Sequence, residues 1–276
     1  MSRDKRFKRD YLLTVGVGGQ AVTVKPPFRI TFDANKSISG GLNTLNVNIY
    51  GLKASTKQQL IKEEGPGYVP IVLEVGYIGG RDLVFKGSIY IGEITRAGPD
   101  VYNVIQAKDG GVDFIQSFTN ATVLSKGDAI DAILGNMPNT ERGKITDLQE
   151  IIRPKVLVGP SVELIGNMVS GEASYFIDNE KLNIIKENEV VSSFAPLVAA
   201  STGLKNTPTI DKGRITFQTW MNPAIRVGGL VNVQSVNAPY LNGLYRIDNI
   251  KYSGDLEGPD WSQVCTGLRV TDYRVI

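Results

Sequence analysis

The sequence predicts a mainly β (α+β) protein in which two related small β-barrel domains flank an α/β insertion domain. Three observations point there: a set of short blocks occurs twice in the same order, apolar residues recur at a period of two across both copies, and a helical period enters only between them. The first copy runs from Phe28 to Ala107 and the second from Gly213 to Gly267. Arg214-Ile215-Thr216-Phe217 repeats Arg29-Ile30-Thr31-Phe32 letter for letter, and Gly228-Gly229-Leu230 follows it as Gly40-Gly41-Leu42 follows the first. Gly243, Ile247 and Ile250 have the spacing of Gly87, Ile91 and Ile94, and the copies then reach Gly258-Pro259-Asp260 and Gly98-Pro99-Asp100. Two unrelated β-domains with similar turns would leave the same traces, and superposing them separates the two readings. The expected domains are 1–110, a β-barrel with a basic N-terminal tail, 111–200, the insertion, and 201–276, the second barrel.

Taken in order, Tyr11–Val15 and Ala21–Val24 read as a hairpin around Gly16-Val17-Gly18-Gly19, closed by Pro26-Pro27. Asn43–Ile49 alternates, with Leu45, Val47 and Ile49 on one face and Asn46 and Asn48 on the other, the pattern of a half-buried strand. Ser55 with Gln58 forms a capping-box pair for a short helix to Glu63, with Leu60 and Ile61 as its apolar face. Strands follow at Val69–Tyr77, Leu83–Ile91 and Val101–Ala107, the first two joined by Gly79-Gly80-Arg81-Asp82. Within the insertion, Asp128–Leu134 and Pro160–Val169 carry helical stripes, the second with proline in its first turn. Lys155–Val158 and Ser174–Ile177 read as strands, and Asp178-Asn179-Glu180-Lys181 as a turn into Leu182–Ile185. Ala195–Pro208 crosses back to the second copy, whose strands are Arg214–Thr219, Leu230–Val236, Gly243–Tyr252 and Trp261–Val270. The Gly228-Gly229 pair is expected to need a backbone open chiefly to glycine, with Gly229→Val the damaging change.

Hydrophobic residues make up 42% of the 276, enough for a proper core, and no run approaches the roughly 20 apolar residues that span a bilayer. Met1–Asp10 is basic, but Tyr11–Val17 is too short an apolar run for a signal peptide, so none is expected. One cysteine, Cys265, excludes an internal disulfide and reads as a small buried apolar residue. Net charge is +2, too little for a protein that lives by neutralising phosphates. Residues 1–110 hold 15 Lys and Arg against 10 Asp and Glu, much of the excess lying in Arg3, Lys5, Arg6, Lys8 and Arg9.

Histidine is absent, which removes Ser-His and Cys-His nucleophile pairs and His-containing zinc sites. Gly16-Val17-Gly18-Gly19-Gln20-Ala21 matches a dinucleotide fingerprint in letters, but Val22-Thr23-Val24-Lys25-Pro26-Pro27 after it cannot start the helix that binds pyrophosphate. Asp128 with Asp131 and Glu187 with Glu189 are the carboxylate pairs available to a hydrolase, at spacings that suit solvated surfaces. Trp220, Trp261 and the eleven tyrosines leave a carbohydrate-binding or adhesin-like β-protein as the alternative function. No catalytic, cofactor-binding or metal residue is assigned, and no cofactor is expected.

Gly243-Leu244-Tyr245-Arg246-Ile247, Lys251-Tyr252-Ser253-Gly254-Asp255 and Gly258-Pro259-Asp260-Trp261 resemble the closing segment of phage tail baseplate hub proteins. The middle segment is similar too, in Arg153-Pro154, Gly159-Pro160 and Tyr175-Phe176-Ile177-Asp178-Asn179 before Lys181-Leu182. The resemblance implies a non-enzymatic hub of a contractile tail: a homotrimeric ring whose two barrels per chain give pseudo-sixfold symmetry, joining a sixfold tail tube to a threefold central spike. The implied partners are the tube protein, the spike protein and other baseplate proteins, with no membrane and no specific nucleic acid, the genome passing through the ring. The implied location is the virion's tail baseplate, assembled in the host cytoplasm.

Overall fold

A computed structural model describes residues 8–16, 18, 21–65, 67–148 and 153–276. The first β unit comprises β1 (Arg9–Val15), β2 (Val22–Val24), β3 (Ile30–Ser37), β4 (Thr44–Ile49), the short helix α1 (Ala54–Gln59), β5 (Pro70–Tyr77), β6 (Gly80–Ala97) and β7 (Asp100–Lys108). The middle segment adds α2 (Gly111–Gln116), β8 (Phe118–Val123), α3 (Lys126–Leu134), β9 (Glu141–Ile145), β10 (Lys155–Pro160), α4 (Ser161–Val169), β11 (Ser174–Ile177), β12 (Lys181–Ile185) and β13 (Glu189–Val190). The second unit follows with β14 (Leu197–Ala199), β15 (Thr209–Asp211), β16 (Arg214–Trp220), β17 (Leu230–Gln234), β18 (Gly243–Asp255), β19 (Trp261–Arg269) and β20 (Arg274–Val275).

The mainly β reading with α/β elements is what the chain forms. Its strands, however, show no closed barrel among the described residues; both units belong to one thirteen-stranded, mostly antiparallel sheet. The reason lies in β18. Residues 243–246 pair with β17, but the strand runs on past that partner, and Asn249–Asp255 pair instead with β3. One strand thereby belongs to both units. The first unit's sheet curls strongly, since Tyr11 on β1 donates its hydroxyl to the carbonyl of Phe28, just before β3.

The two units share a pairing path. The first unit follows the path β3-β4-β7-β6-β5 and the second β15-β16-β19-β18-β17, the same order in chain terms. The hairpins at Gly98-Pro99 and Gly258-Pro259 are equivalent, and each carries a register shift, between Ile89 and Ile91 and between Ile247 and Asn249. The shared tetrapeptide is out of step by one strand: Ile30–Phe32 lie on β3, the counterpart of β15, whereas Arg214–Phe217 begin β16, the counterpart of β4. Four identical residues report the same local strand preference, not the same place in the sheet.

Alternation places the core. Leu45, Val47 and Ile49 on β4 and Ile215, Phe217 and Thr219 on β16 point inward and are buried. A single apolar cluster runs through both units, from Tyr11, Leu13 and Phe32 to Tyr245, Tyr252 and Trp261. The middle segment has its own, formed by Ile130, Ile133, Ile165, Val169, Leu182 and Ile184 from α3, α4 and β12. Two helix starts differ from expectation. Lys53 precedes α1 with no side-chain cap, so Ser55 lies inside the helix and the Ser55–Gln58 box does not form; Leu60 is buried while Ile61 stays 48% exposed. Pro160 is the residue before α4, still paired in β10, and not its first turn. α3 is capped by Ser125, whose Oγ accepts from the Asp128 N–H at 3.0 Å. No helix among the described residues is long and apolar enough to cross a membrane.

Candidate assembly surfaces

The middle segment is held to the first unit by a buried polar latch. Asp178 and Lys181 exchange backbone hydrogen bonds around Asn179 and Glu180, which both take positive φ, 55° and 61°. That geometry is costly for residues with a Cβ and turns two N–H groups to one side. Asp109, fully buried at the end of the first unit, accepts both, at 2.6 Å from Asn179 and 2.7 Å from Glu180. Lys36 donates to Asp178 at 2.6 Å and to Asn179 Oδ1 at 2.8 Å, and Asn43 Nδ2 reaches the Ile177 carbonyl at 2.7 Å. Glu180 receives Lys86 Nζ at 2.8 Å and the Tyr68 hydroxyl at 3.0 Å. Burial is the largest influence on Asp109 and pushes its carboxyl up to about 7, with Lys36 opposing the rise.

The second unit grips the end of the same segment. Arg246 on β18 is buried and donates to the carbonyls of Lys186, Glu187 and Glu189, while its Nε meets Asp248 Oδ1 at 3.1 Å. Asp248 also takes Arg214. Between these attachments lies a cleft of about 680 Å³ lined by all three parts. Ion pairs join its walls: Arg226 with Asp82 at 3.0 Å links the two β units and Lys86 with Glu180 links the first unit to the middle segment, while Lys181 with Glu141 at 3.5 Å lies within that segment, which also presents Lys144. The cleft is therefore a seam sewn by ion pairs across parts of the chain.

The residues weighed for chemistry are dispersed. Glu187 is exposed while Glu189 is buried, accepting from the Thr146 hydroxyl and the Lys186 N–H, so these two carboxylates do not face a shared space. Asp128 and Asp131 lie exposed on α3, and Asp131 pairs with Arg142. Trp261 is buried, its ring edge-on to Phe32 at 5.6 Å, which removes it as a sugar platform. Trp220 is 42% exposed but carries Lys205 Nζ over its ring at 4.3 Å. Cys265 is buried and its thiol is pushed up to about 12 by desolvation, consistent with a packing role. The letters of the dinucleotide fingerprint fall at the β1–β2 turn, and positions 17, 19 and 20 lie outside the described residues, as do positions 1–7 of the basic tail.

What the surface offers instead is unpaired strand and exposed apolar side chains. Beyond Ser88, β6 has lost β5 as a partner; a bridge to Lys62 covers Gly92, and among the described residues no strand pairs with residues 93–97 on that edge. At the far end of the sheet, β15 pairs with β16 and, among the described residues, with no other strand. The β8–β10 ribbon turns Phe118, Leu124, Val156 and Val158 outward.

This is the fold of phage tail proteins. The chain resembles the 43 kDa tail protein of prophage MuSo2 from Shewanella oneidensis (TM-score 0.65, 11% identity, 94% of this chain and 96% of that one). It resembles equally a tail protein from Neisseria meningitidis MC58 (0.64, 10%, 95% and 97%). A third likeness is the E. coli c3393 protein, a type VI secretion component described as structurally similar to T4 tail proteins gp27 and gp5 (0.63, 9%, 91% and 77%). No individual curated protein matches by sequence. The chain belongs to the Baseplate hub gp41 family, which matches residues 12–258, and so is a component of the virion tail.

Proposed function

We propose that this chain is a structural hub without catalytic activity, three copies of which close into a ring between the tail tube and the central spike of a contractile tail. The observation that carries this is the duplicated pairing path, β3-β4-β7-β6-β5 and β15-β16-β19-β18-β17, in a member of a baseplate hub family. Two similar units per chain give six around a threefold ring, so one face can meet a sixfold tube while the other meets a threefold spike. Open edges at β6 and β15 suit a protein completed by neighbours, since a monomer ordinarily covers or blunts such edges. The tube, the spike and other baseplate proteins are the partners in this reading, and the genome passes through the ring without being read.

Light scattering of the purified chain over a wide concentration range tests it. A mass near three times 30.0 kDa is expected. A chain that stays monomeric alone, and also when mixed with the spike protein of its own tail, overturns the ring.

A further inference from the structure

The duplicated path makes the joint inside the chain a template for the joint between chains. Within one chain, β3 of the first unit pairs with the second half of β18 in the second. The counterpart of β3 is β15, and the counterpart of β18 is β6. In register, Ala34 lies opposite Leu45 as Ile210 lies opposite Ile215, and Leu45 and Ile215 are the equivalent inward residues of β4 and β16. Aligning the register shifts of the two hairpins likewise sets Ile94 where Tyr252 stands, two residues after Gly92 as Tyr252 is two after Ile250. Ala34 and Tyr252 face each other across the internal joint and are buried. Ile210 and Ile94, which hold the same places, are 50% and 38% exposed. Neither has the neighbour that its counterpart has.

The backbone agrees. Gly92 exchanges both its N–H and C=O with Lys62 on the side away from β7. By alternation, Ile94 and Arg96 turn their backbone groups to that same open edge. Pro208, just before β15, is buried where Phe32 is buried on β3, so β15 already sits in the orientation that β3 has.

We propose that β15 of one copy pairs antiparallel with residues 93–95 of β6 in the next, Ile210 opposite Ile94, so that each joint between chains repeats the β3–β18 joint within a chain. This rests on the ring reading above and assigns its strand contact. Every unit then uses one edge of the β3 type and one of the β18 type, a head-to-tail contact that closes when the turns sum to a circle. Thr95 falls opposite Thr209, where Ser253 and Asp33 hydrogen bond at 2.6 Å in the internal joint. Glu93 falls opposite Asp211, where the internal joint has Lys251 and Asn35. That one opposition is unfavourable, and it supplies a test of the register.

Ile94→Cys and Ile210→Cys are introduced together and the assembled chain is treated with a short thiol cross-linker; Cys265 is buried and does not compete. A covalently closed trimer on a denaturing gel is expected, and only dimers when the two single variants are mixed. Glu93→Lys is expected to tighten assembly about two- to five-fold. A trimer by light scattering that yields no cross-link overturns this joint and leaves the ring standing; a chain monomeric under every condition overturns both. Circular dichroism matching the parent chain confirms that each variant is folded.

Discussion

Trp261 donates its indole N–H to the carbonyl of Gly76 at 3.1 Å, a bond from the second β unit into the first. The same ring meets Phe32 edge-on, and Gly254 beside it has no Cβ because one would stand 2.2 Å from the Phe32 ring. Two aromatic rings and a bare backbone position thus fill the seam where β18 passes from one unit to the other.

Trp261→Ala should cost about 3–5 kcal/mol, the range for emptying a buried aromatic site. Because the residue packs on both units, urea unfolding should stay a single transition in the parent and split, or lose slope, in the variant. Unchanged stability would mean that the seam does not depend on this ring.

Gly228, and not Gly229, is the glycine that the turn before β17 requires. Gly228 has φ +72°, and a Cβ there would stand 3.0 Å from Phe176 and 3.2 Å from Val191, both outside the second β unit. Gly229 lacks a left-handed φ and would bring a Cβ to 3.2 Å from the Arg226 carbonyl. Gly228→Ala should therefore cost about 1–2 kcal/mol from backbone alone, and more from the contact, with Gly229→Ala the milder change. Thermal melts of the two single variants decide it; equal losses would show that space, not φ, governs the pair.

That pair illustrates how far the sequence could be read. Alternation along 43–49, the apolar stripes of α3 and α4, and the Gly-Pro hairpins were legible because each is local, set by neighbours a few residues away. The Asp178–Lys181 turn was legible for the same reason. The β3–β18 joint was not, because it pairs residues more than 200 positions apart and no spacing encodes it. Short strands such as β13 and β20 escaped because two residues carry no period. Asp109 read as the end of a domain; its use as an acceptor depends on two N–H groups that another part of the chain turns toward it.

Asp109 should make stability fall as pH rises. Burial raises its carboxyl from the ordinary value of 3.8 to about 7, so between those values the folded chain binds a proton that the unfolded chain has lost. The stabilisation is complete below about 4 and is lost as pH climbs through 7. Lys36, Asp178, Lys86, Glu180 and Tyr68 face the same latch, and of these Lys36 most favours the ionised form. Asp109→Ala should remove this slope and also leave the Asn179 and Glu180 N–H groups unpaired, at about 1–3 kcal/mol each. Urea midpoints from pH 4.5 to 7.5 for parent and variant test the sign; a parent that gains stability across that window contradicts it.

Arg246 fastens the other flank of the middle segment, and its loss should be costly. Its guanidinium reaches three carbonyls between Lys186 and Glu189 and one oxygen of buried Asp248. Arg246→Met keeps much of the volume but leaves Asp248 with Arg214 alone, takes the guanidinium from the Glu187 and Glu189 carbonyls, and leaves the Lys186 carbonyl with the Glu189 N–H only. Breaking such a buried pair costs about 3–5 kcal/mol. Arg246→Lys should recover little, because a single ammonium cannot span the fork from Asp248 to the 186–189 turn. The discriminating measurement is hydrogen exchange: protection should drop first at β13 and β20, whose short parallel pairing joins the end of the middle segment to the chain's last strand. A uniform loss across the whole sheet would instead make Arg246 a general core residue rather than the fastening of that segment.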